Sequence, residues 1–162
     1  MGSIHIPKPQ WLRKKMTLSI QKPMEVLLAD QRVHTICEEA MCPNISECFS
    51  QNVATFMILG TICTRACTFC AVSRGVPLAL NPYEPENIAN TVRYLGLRHV
   101  VITSSTRDDL SDGGAEHFCK TVDAIKAIDN AIVVELLIPD IDENTGALEK
   151  VAQSGAKTIG HN

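Results

Sequence analysis

The stretch Ala54-Thr55-Phe56-Met57-Ile58-Leu59-Gly60, followed closely by Cys63-Thr64-Arg65-Ala66-Cys67-Thr68-Phe69-Cys70, decides how this chain is read. Its first part, Ala54 to Leu59, is short, apolar, rich in β-favouring residues and stopped by a glycine. Such a run predicts a buried strand. The second part places three thiols in a C-x3-C-x2-C spacing on the loop at the strand's end. Three soft thiolates on one short loop converge on one metal centre, and iron–sulfur clusters and zinc are the usual occupants of sulfur-rich sites. Structural zinc takes four closed ligands, usually from paired cysteine hooks. This loop offers three cysteines and no histidine, the nearest downstream being His99. In a four-iron cubane, three protein thiolates leave one iron open to a ligand from outside.

From this loop onward, strands and helices alternate. A helix is expected from about Pro85 to Leu95, with Ile88, Val92 and Leu95 on one face and Pro85 suited to the first turn. A second strand is expected over His99–Ser104. The next helix, from Gly114 to about Ile128, carries the stripe Ala115, Phe118, Val122 and Ile125. Cys119, beside Phe118, reads as small core filler. A third strand is expected over Ala131–Ile138, then a helix from about Gly146 to Ser154 with Leu148, Val151 and Ala152 inward, then a fourth strand from Lys157.

Alternation of this kind builds a parallel sheet with right-handed crossovers, the construction of (βα) barrels, whose functional groups gather at the C-terminal ends of the strands. Those ends carry Cys63 to Cys70, then Arg107-Asp108-Asp109 with Asp112-Gly113-Gly114, then Asp140, and finally His161-Asn162. The fold class expected is α/β, a partial (βα) barrel over residues 51–162, cut after about the fourth strand. Residues 1–50 precede the first strand as an N-terminal extension.

That extension opens on Lys8-Pro9-Gln10-Trp11-Leu12-Arg13-Lys14-Lys15, a basic strap whose one aromatic packs on the body. Pro23 to Leu28 predicts a short helix, with Met24, Val26, Leu27 and Leu28 available for packing. A second triplet follows, Cys37, Cys42 and Cys48, spaced C-x4-C-x5-C, with Pro43-Asn44 turning the chain between the second and third thiols. Three thiols in so short a segment fold around one object. The bland alternative is three buried or partly reactive thiols that happen to be close. Six of the seven cysteines sit in the two triplets, a usage that reads as metal binding rather than disulfides.

Two further places carry charge where a reason is needed. The Arg107 to Gly114 loop serves as a cap and turn before a helix, or its glycines let backbone approach a cofactor while its acids meet an amino group. Glu135 stands mid-strand in the apolar run Ile132 to Ile138, so it must face a polar cavity or a partner.

Composition narrows the classes. Apolar residues make up 45%, charged residues 20%, and the net charge is −3, which leaves neither a disordered chain nor a basic field for nucleic acid. No apolar run reaches the roughly 20 residues a membrane helix needs, and Met1 to Lys15 holds no signal-peptide core. A cytoplasmic protein with no nucleic-acid and no membrane partner is expected.

The C-x3-C-x2-C motif with Phe69 before its last cysteine resembles the radical S-adenosylmethionine signature. Paired with C-x4-C-x5-C, it is similar to the lipoyl synthase family over nearly the whole length. The likeness includes His34-Thr35-Ile36-Cys37-Glu38-Glu39-Ala40, Cys42-Pro43-Asn44-Ile45, the run from Ala54 to Gly60, and Cys63-Thr64-Arg65. It continues through Val101-Ile102-Thr103-Ser104, Arg107-Asp108-Asp109-Leu110 and Asp112-Gly113-Gly114-Ala115.

The resemblance implies a barrel of the radical SAM type and two [4Fe–4S] clusters. One is held by Cys63, Cys67 and Cys70 and binds S-adenosylmethionine. The other, on Cys37, Cys42 and Cys48, is auxiliary and donates sulfur. It implies insertion of sulfur into an octanoyl chain on lipoyl domains of 2-oxoacid dehydrogenase complexes or the glycine cleavage H protein, with an electron donor such as ferredoxin or flavodoxin. Arg107, Asp112, Gly113, Gly114 and Glu135 are the expected cofactor contacts. Thr61 stands where the family usually has aspartate, and Ser105-Thr106 where it usually has Val-Asp. The family pattern continues past Asn162 to a late Arg-Ser-Ser-Tyr motif whose serine caps the auxiliary cluster, so a C-terminally truncated form is expected. Two other readings stand beside this one: a catalytically inactive remnant that only binds iron–sulfur clusters, and a zinc-stapled structural domain.

Overall fold

The computed structural model describes residues 9–10, 18–51, 53–141 and 144–161. The strap's Trp11 and the terminal Asn162 fall outside them. The elements run α1 (Leu18–Asp30), β1 (His34–Thr35), α2 (Ile36–Glu39), α3 (Ile45–Ser50), β2 (Thr55–Ile58), β3 (Ile62–Cys63) and β4 (Ser73–Arg74). They continue through α4 (Glu84–Leu95), β5 (His99–Ser104), α5 (Ala115–Ile128), β6 (Val133–Ile138), α6 (Thr145–Ala152) and β7 (Thr158–His161).

The main sheet has five strands in the order β1-β2-β5-β6-β7, and β1 alone is antiparallel to its neighbour. The four parallel strands are the expected ones; β5 keeps its expected bounds, and the other three are trimmed by a residue or two at an end. The sheet is open, so the architecture is a partial (βα) barrel with no closure. Register aligns Thr55, Val101, Glu135 and Thr158 in one row and Met57, Thr103, Leu137 and Gly160 in another, on one face. The opposite face presents Phe56, Val100, Ile102, Val134 and Leu136, all fully buried.

Helices α4, α5 and α6 cover that second face. The stripe Ala115, Phe118, Val122 and Ile125 is fully buried, as the helical period dictates. In α4, Pro85 opens the helix and Gly96 ends it with a left-handed φ of +63. The inward face of α6 differs from expectation. Ala147 and Val151 are buried, whereas Leu148 is 41% exposed and Ala152 is exposed. The buried stripe runs through Ala147 and Val151, four apart, and leaves Leu148 at its edge. Cys119 is half-buried, its thiol against the Lys150 carbonyl, rather than in the core.

Residues 18–50 do more than precede the sheet. Strand β1 pairs with β2 through His34↔Met57 and Thr35↔Phe56. Met24, Leu28, Val33, Cys37, Ile45 and Phe49 join the same hydrophobic cluster as the strands. A two-residue strand shows no periodicity, which is why the sequence does not reveal it. Helix α1 begins five residues before Pro23, which sits inside it and removes one helical hydrogen bond. Val26 faces water at 60% exposure, while Met24 and Leu28, four apart, hold the buried side. No helix among the described residues is long and apolar enough to cross a membrane.

Gly114 enters α5 with φ +91, and a β-carbon there would stand 2.3 Å from Leu59 Cδ1. Gly96 also has positive φ, yet nothing lies within 4 Å of a β-carbon built on it. Gly96→Ala should therefore cost only backbone strain, about 1–2 kcal/mol. Gly114→Ala adds a clash in a packed site and should cost about 2–5 kcal/mol. Urea unfolding of the two variants checks the difference, and equal losses would contradict it.

Candidate iron–sulfur and cofactor site

The three-cysteine loop is anchored at its base. β3 and β4 pair in parallel, with Cys63 opposite Arg74, and the Gly75 N–H donates to the Cys63 carbonyl at 3.1 Å. The Thr64 N–H donates to the Thr106 carbonyl at 3.1 Å, which ties the loop to the end of β5. Arg65 extends the tie. Its Nη2 donates to Asp108 Oδ1 at 2.7 Å and its Nη1 to Asp140 Oδ2 at 2.8 Å, so one guanidinium joins the cysteine loop to the loops after β5 and β6. The bond from Arg65, then that from the Thr64 hydroxyl, holds the Asp108 carboxyl below its usual range. The same pairs keep the Arg65 proton more tightly bound than usual.

These ties present the thiols to a cavity of about 350 Å³. Cys63, Cys67 and Cys70 line it together with Phe69, Thr103 and Ser104 from β5, and Leu137 and Ile138 from β6. Phe69 is 80% exposed at its mouth. The Cys63 sulfur accepts backbone N–H groups from Arg65 at 3.5 Å and from Thr106 at 3.4 Å. The Ser104 hydroxyl is buried and has no hydrogen-bond partner among the described residues.

The segment that carries the N-terminal triplet borders the same cavity, although Cys37, Cys42 and Cys48 do not line it. Ile36 and Ala40, from the α2 turn that carries Cys37, form part of its wall, as does Thr55. Cys37 is buried, and that burial pushes its thiol pKa up. A hydrogen bond with the Thr55 backbone opposes the shift, and the nearby Cys42 and Cys48 add to it. Cys42 and Cys48 are half-buried, and the Cys42 N–H donates to the Cys37 carbonyl at 3.0 Å. All seven cysteines are free thiols.

The other expected contacts are placed differently. Arg107 is 3% exposed, and its guanidinium donates to the Leu59 carbonyl at 2.9 Å, the Leu78 carbonyl at 3.1 Å and the Asp109 carboxylate at 2.8 Å. The Asp112 carboxylate accepts the N–H groups of Gly114 at 2.9 Å and Glu116 at 2.8 Å, capping α5. Gly113 and Gly114 pack on Ile141 and Leu59. Glu135 lies on the inner face of the sheet, in the row below Leu137, with His99 Nε2 at 3.5 Å. None of the five lines the cysteine cavity. Arg107 and Gly113 instead line a separate polar cavity of about 250 Å³ behind the rim.

The sequence profile of the Radical SAM superfamily matches residues 57–162, from mid-β2 onward. The chain belongs to the Radical SAM superfamily. Among individual proteins it is similar to the lipoyl synthase of Geobacter metallireducens, 52% identical over 157 residues, which are 97% of this chain and 56% of that protein. It is also similar to those of Geobacter sulfurreducens, at 52% identity over 96% of this chain and 51% of the relative, and Alkaliphilus metalliredigens, at 52% over 96% and 54%. The chain spans about half the length of the curated relatives it matches.

The donor set of this Radical SAM chain fits an iron–sulfur cluster better than zinc. The loop offers three thiols and no histidine, short of the four closed ligands a structural zinc takes. Structural zinc needs its sulfurs within about 2.3 Å of one centre, whereas each thiolate of a cubane binds its own iron. The two N–H groups on the Cys63 sulfur are the kind of contact that stabilises a metal-bound thiolate. Motif reading missed Ser104, Thr55 and Arg65 as parts of this site. Arg65 alone had a visible signal, a cation inside the cysteine spacing.

Asp112 supplies a stability test. Burial raises its pKa, but the Glu116 and Gly114 amides outweigh that and leave it below the ordinary carboxylate value. A depressed folded pKa contributes stability that is present above the unfolded value and lost as pH falls through the folded one. Asp112→Ala should cost about 0.5–2 kcal/mol at pH 7. The gap to wild type should narrow below about pH 4, as the wild-type carboxylate is protonated. Urea titrations at the two pH values measure it, and a gap unchanged by acid would contradict the cap.

Proposed function

We propose that this chain is a lipoyl synthase, a sulfurtransferase that inserts two sulfur atoms at carbons six and eight of an octanoyl group carried on a lipoyl domain. The single observation that carries the reading is one cavity lined by Cys63, Cys67 and Cys70 and walled in part by Ile36 and Ala40, from the segment that carries the second triplet. The likeness to lipoyl synthases over nearly the whole chain supports the same reading. Two [4Fe–4S] clusters are proposed, one on Cys63, Cys67 and Cys70 and one on Cys37, Cys42 and Cys48. The first supplies, when bound, the reductive cleavage of S-adenosylmethionine to a hydrogen-abstracting radical, and the second supplies the sulfur.

The chain's own residues bind, orient and shield. Two backbone N–H groups point at the Cys63 sulfur and orient it as a cluster ligand. Val72, Leu137 and Ile138 make an apolar wall that keeps water from a reactive intermediate. The unpartnered Ser104 hydroxyl offers a hydrogen bond to a polar group of S-adenosylmethionine entering the cavity. Glu135, on the same inner face, is the proposed carboxylate nearest that cofactor's path. Arg107, Asp112, Gly113 and Gly114 act one layer behind, shaping the rim that the cofactor meets. The proposed partners are octanoylated lipoyl domains of 2-oxoacid dehydrogenase complexes or the glycine cleavage H protein, and a ferredoxin or flavodoxin as electron donor, in the cytoplasm.

Anaerobic reconstitution with iron and sulfide, then incubation with S-adenosylmethionine, dithionite and an octanoylated lipoyl domain, tests the proposal. Roughly eight irons per chain are expected, falling to roughly four in the Cys63→Ala/Cys67→Ala/Cys70→Ala variant. Cys67→Ala should abolish 5′-deoxyadenosine formation. Cys42→Ala should spare that product and eliminate lipoyl formation. Full iron without 5′-deoxyadenosine would mark a protein that only binds clusters, and one zinc without sulfide would sink the proposal.

A further inference from the structure

Leu59 is the last residue of the apolar run, yet its φ is +68, and Gly60 follows at +82. Two consecutive left-handed residues swing the chain out of β2 and aim it into the cysteine loop. A side chain with a β-carbon rarely adopts that conformation unless its surroundings impose it. Here both peptide groups of Leu59 are gripped. Its N–H donates to Glu84 Oε2 at 2.9 Å. Its carbonyl accepts from Arg107 Nη1 at 2.9 Å and from the Ser105 hydroxyl at 3.3 Å.

The Glu84 side of this grip is costly. Glu84, the first residue of α4, is 5% exposed, and His117, on α5, is 6% exposed. Glu84 Oε2 lies 2.7 Å from His117 Nε2. The same oxygen accepts the Leu59 N–H, so an ionised Glu84 takes both contacts as acceptor. Burying such a pair seldom adds net stability over a well-packed apolar pair, so packing alone does not account for it. Neither residue lines the cysteine cavity. What they share is the amide that starts the loop.

We propose that Glu84 and His117 are positioning residues: through the Leu59 amide they set the left-handed turn that delivers Cys63, Cys67 and Cys70 to the cavity. The effect on the cluster rests on the reading of that triplet as an iron–sulfur site; the effect on the loop does not. Glu84→Gln keeps an acceptor oxygen for both N–H groups, whereas Glu84→Leu keeps the bulk and removes it. His117→Phe keeps a ring and removes its donor.

Two measurements separate the layers. In the metal-free chain, Glu84→Leu should raise amide exchange at Leu59 about tenfold or more, the loss expected for a hydrogen bond to a charged acceptor. It should also change the alkylation rate of Cys63 severalfold relative to Cys119, roughly in step with the opened turn. In the reconstituted chain, Glu84→Leu should lose most of the iron and electron paramagnetic resonance signal assigned to Cys63–Cys70 while keeping those of Cys37–Cys48. Glu84→Gln should restore wild-type values in both, and His117→Phe should shift them in the same direction as Glu84→Leu. Should Glu84→Leu fail to fold, His117→Phe and Glu84→Gln decide the matter. Faster Leu59 exchange with unchanged thiol alkylation and unchanged cluster signal would overturn the proposal. A wild-type chain that takes up no iron would instead overturn the cluster reading, leaving the alkylation result to judge the grip.

Discussion

The parallel register of β2, β5 and β6 is the constraint on which the rest depends. With Thr55, Val101 and Glu135 in one row, the three strands end at the same level. Their following loops must then meet at one rim. Arg65 bridging Asp108 and Asp140 is possible only because of that shared level. Such exposed ion pairs contribute little stability individually. Their value here lies in geometry, since one planar guanidinium fixes three loops relative to one another.

Beneath the rim, the polar groups that hold the loop are buried and fully engaged, and the apolar residues around them make that engagement strong. Arg107 reaches across from the β5 loop to carbonyls at Leu59 and Leu78, neutralised by Asp109. Gly114 lets α5 start against Leu59 without a β-carbon in between. The same leucine thus anchors a packing contact and a backbone turn. A loop held this way is pre-organised for binding, because little of its ordering cost remains when a ligand arrives.

The two faces of the sheet have different roles for a physical reason. One is closed by α4, α5 and α6 over fully buried Phe56, Ile102 and Leu136. The other carries Thr55, Thr103 and Leu137, which line the cavity with both polar and apolar contacts, and Glu135 in the row below Leu137. The N-terminal segment joins the edge of the sheet through β1, and the α2 turn brings Cys37 beside Thr55.

Much of this was legible in the residues. The strands over His99–Ser104 and near Val133–Ile138, and the helix from Ala115 to Ile128, follow from apolar runs and a 3.6-residue stripe bounded by glycine and proline. The two cysteine spacings are local patterns, so the thiols could be named without coordinates. Contacts between distant segments could not. β1, β3 and β4 are two residues long, too short for any period, and exist because a neighbouring strand offers them hydrogen bonds. The Arg107-to-Gly114 stretch reads equally as a cap or a cofactor loop. Only packing shows its arginine turned inward to Leu59 and its aspartate spent on α5. Glu84 and His117 are 33 residues apart, and nothing in either neighbourhood announces the other. Sequence determined which groups this protein owns, because spacing and polarity are local properties. Tertiary structure decided which of them face the cavity, because that depends on the register of strands that meet only after the chain has folded.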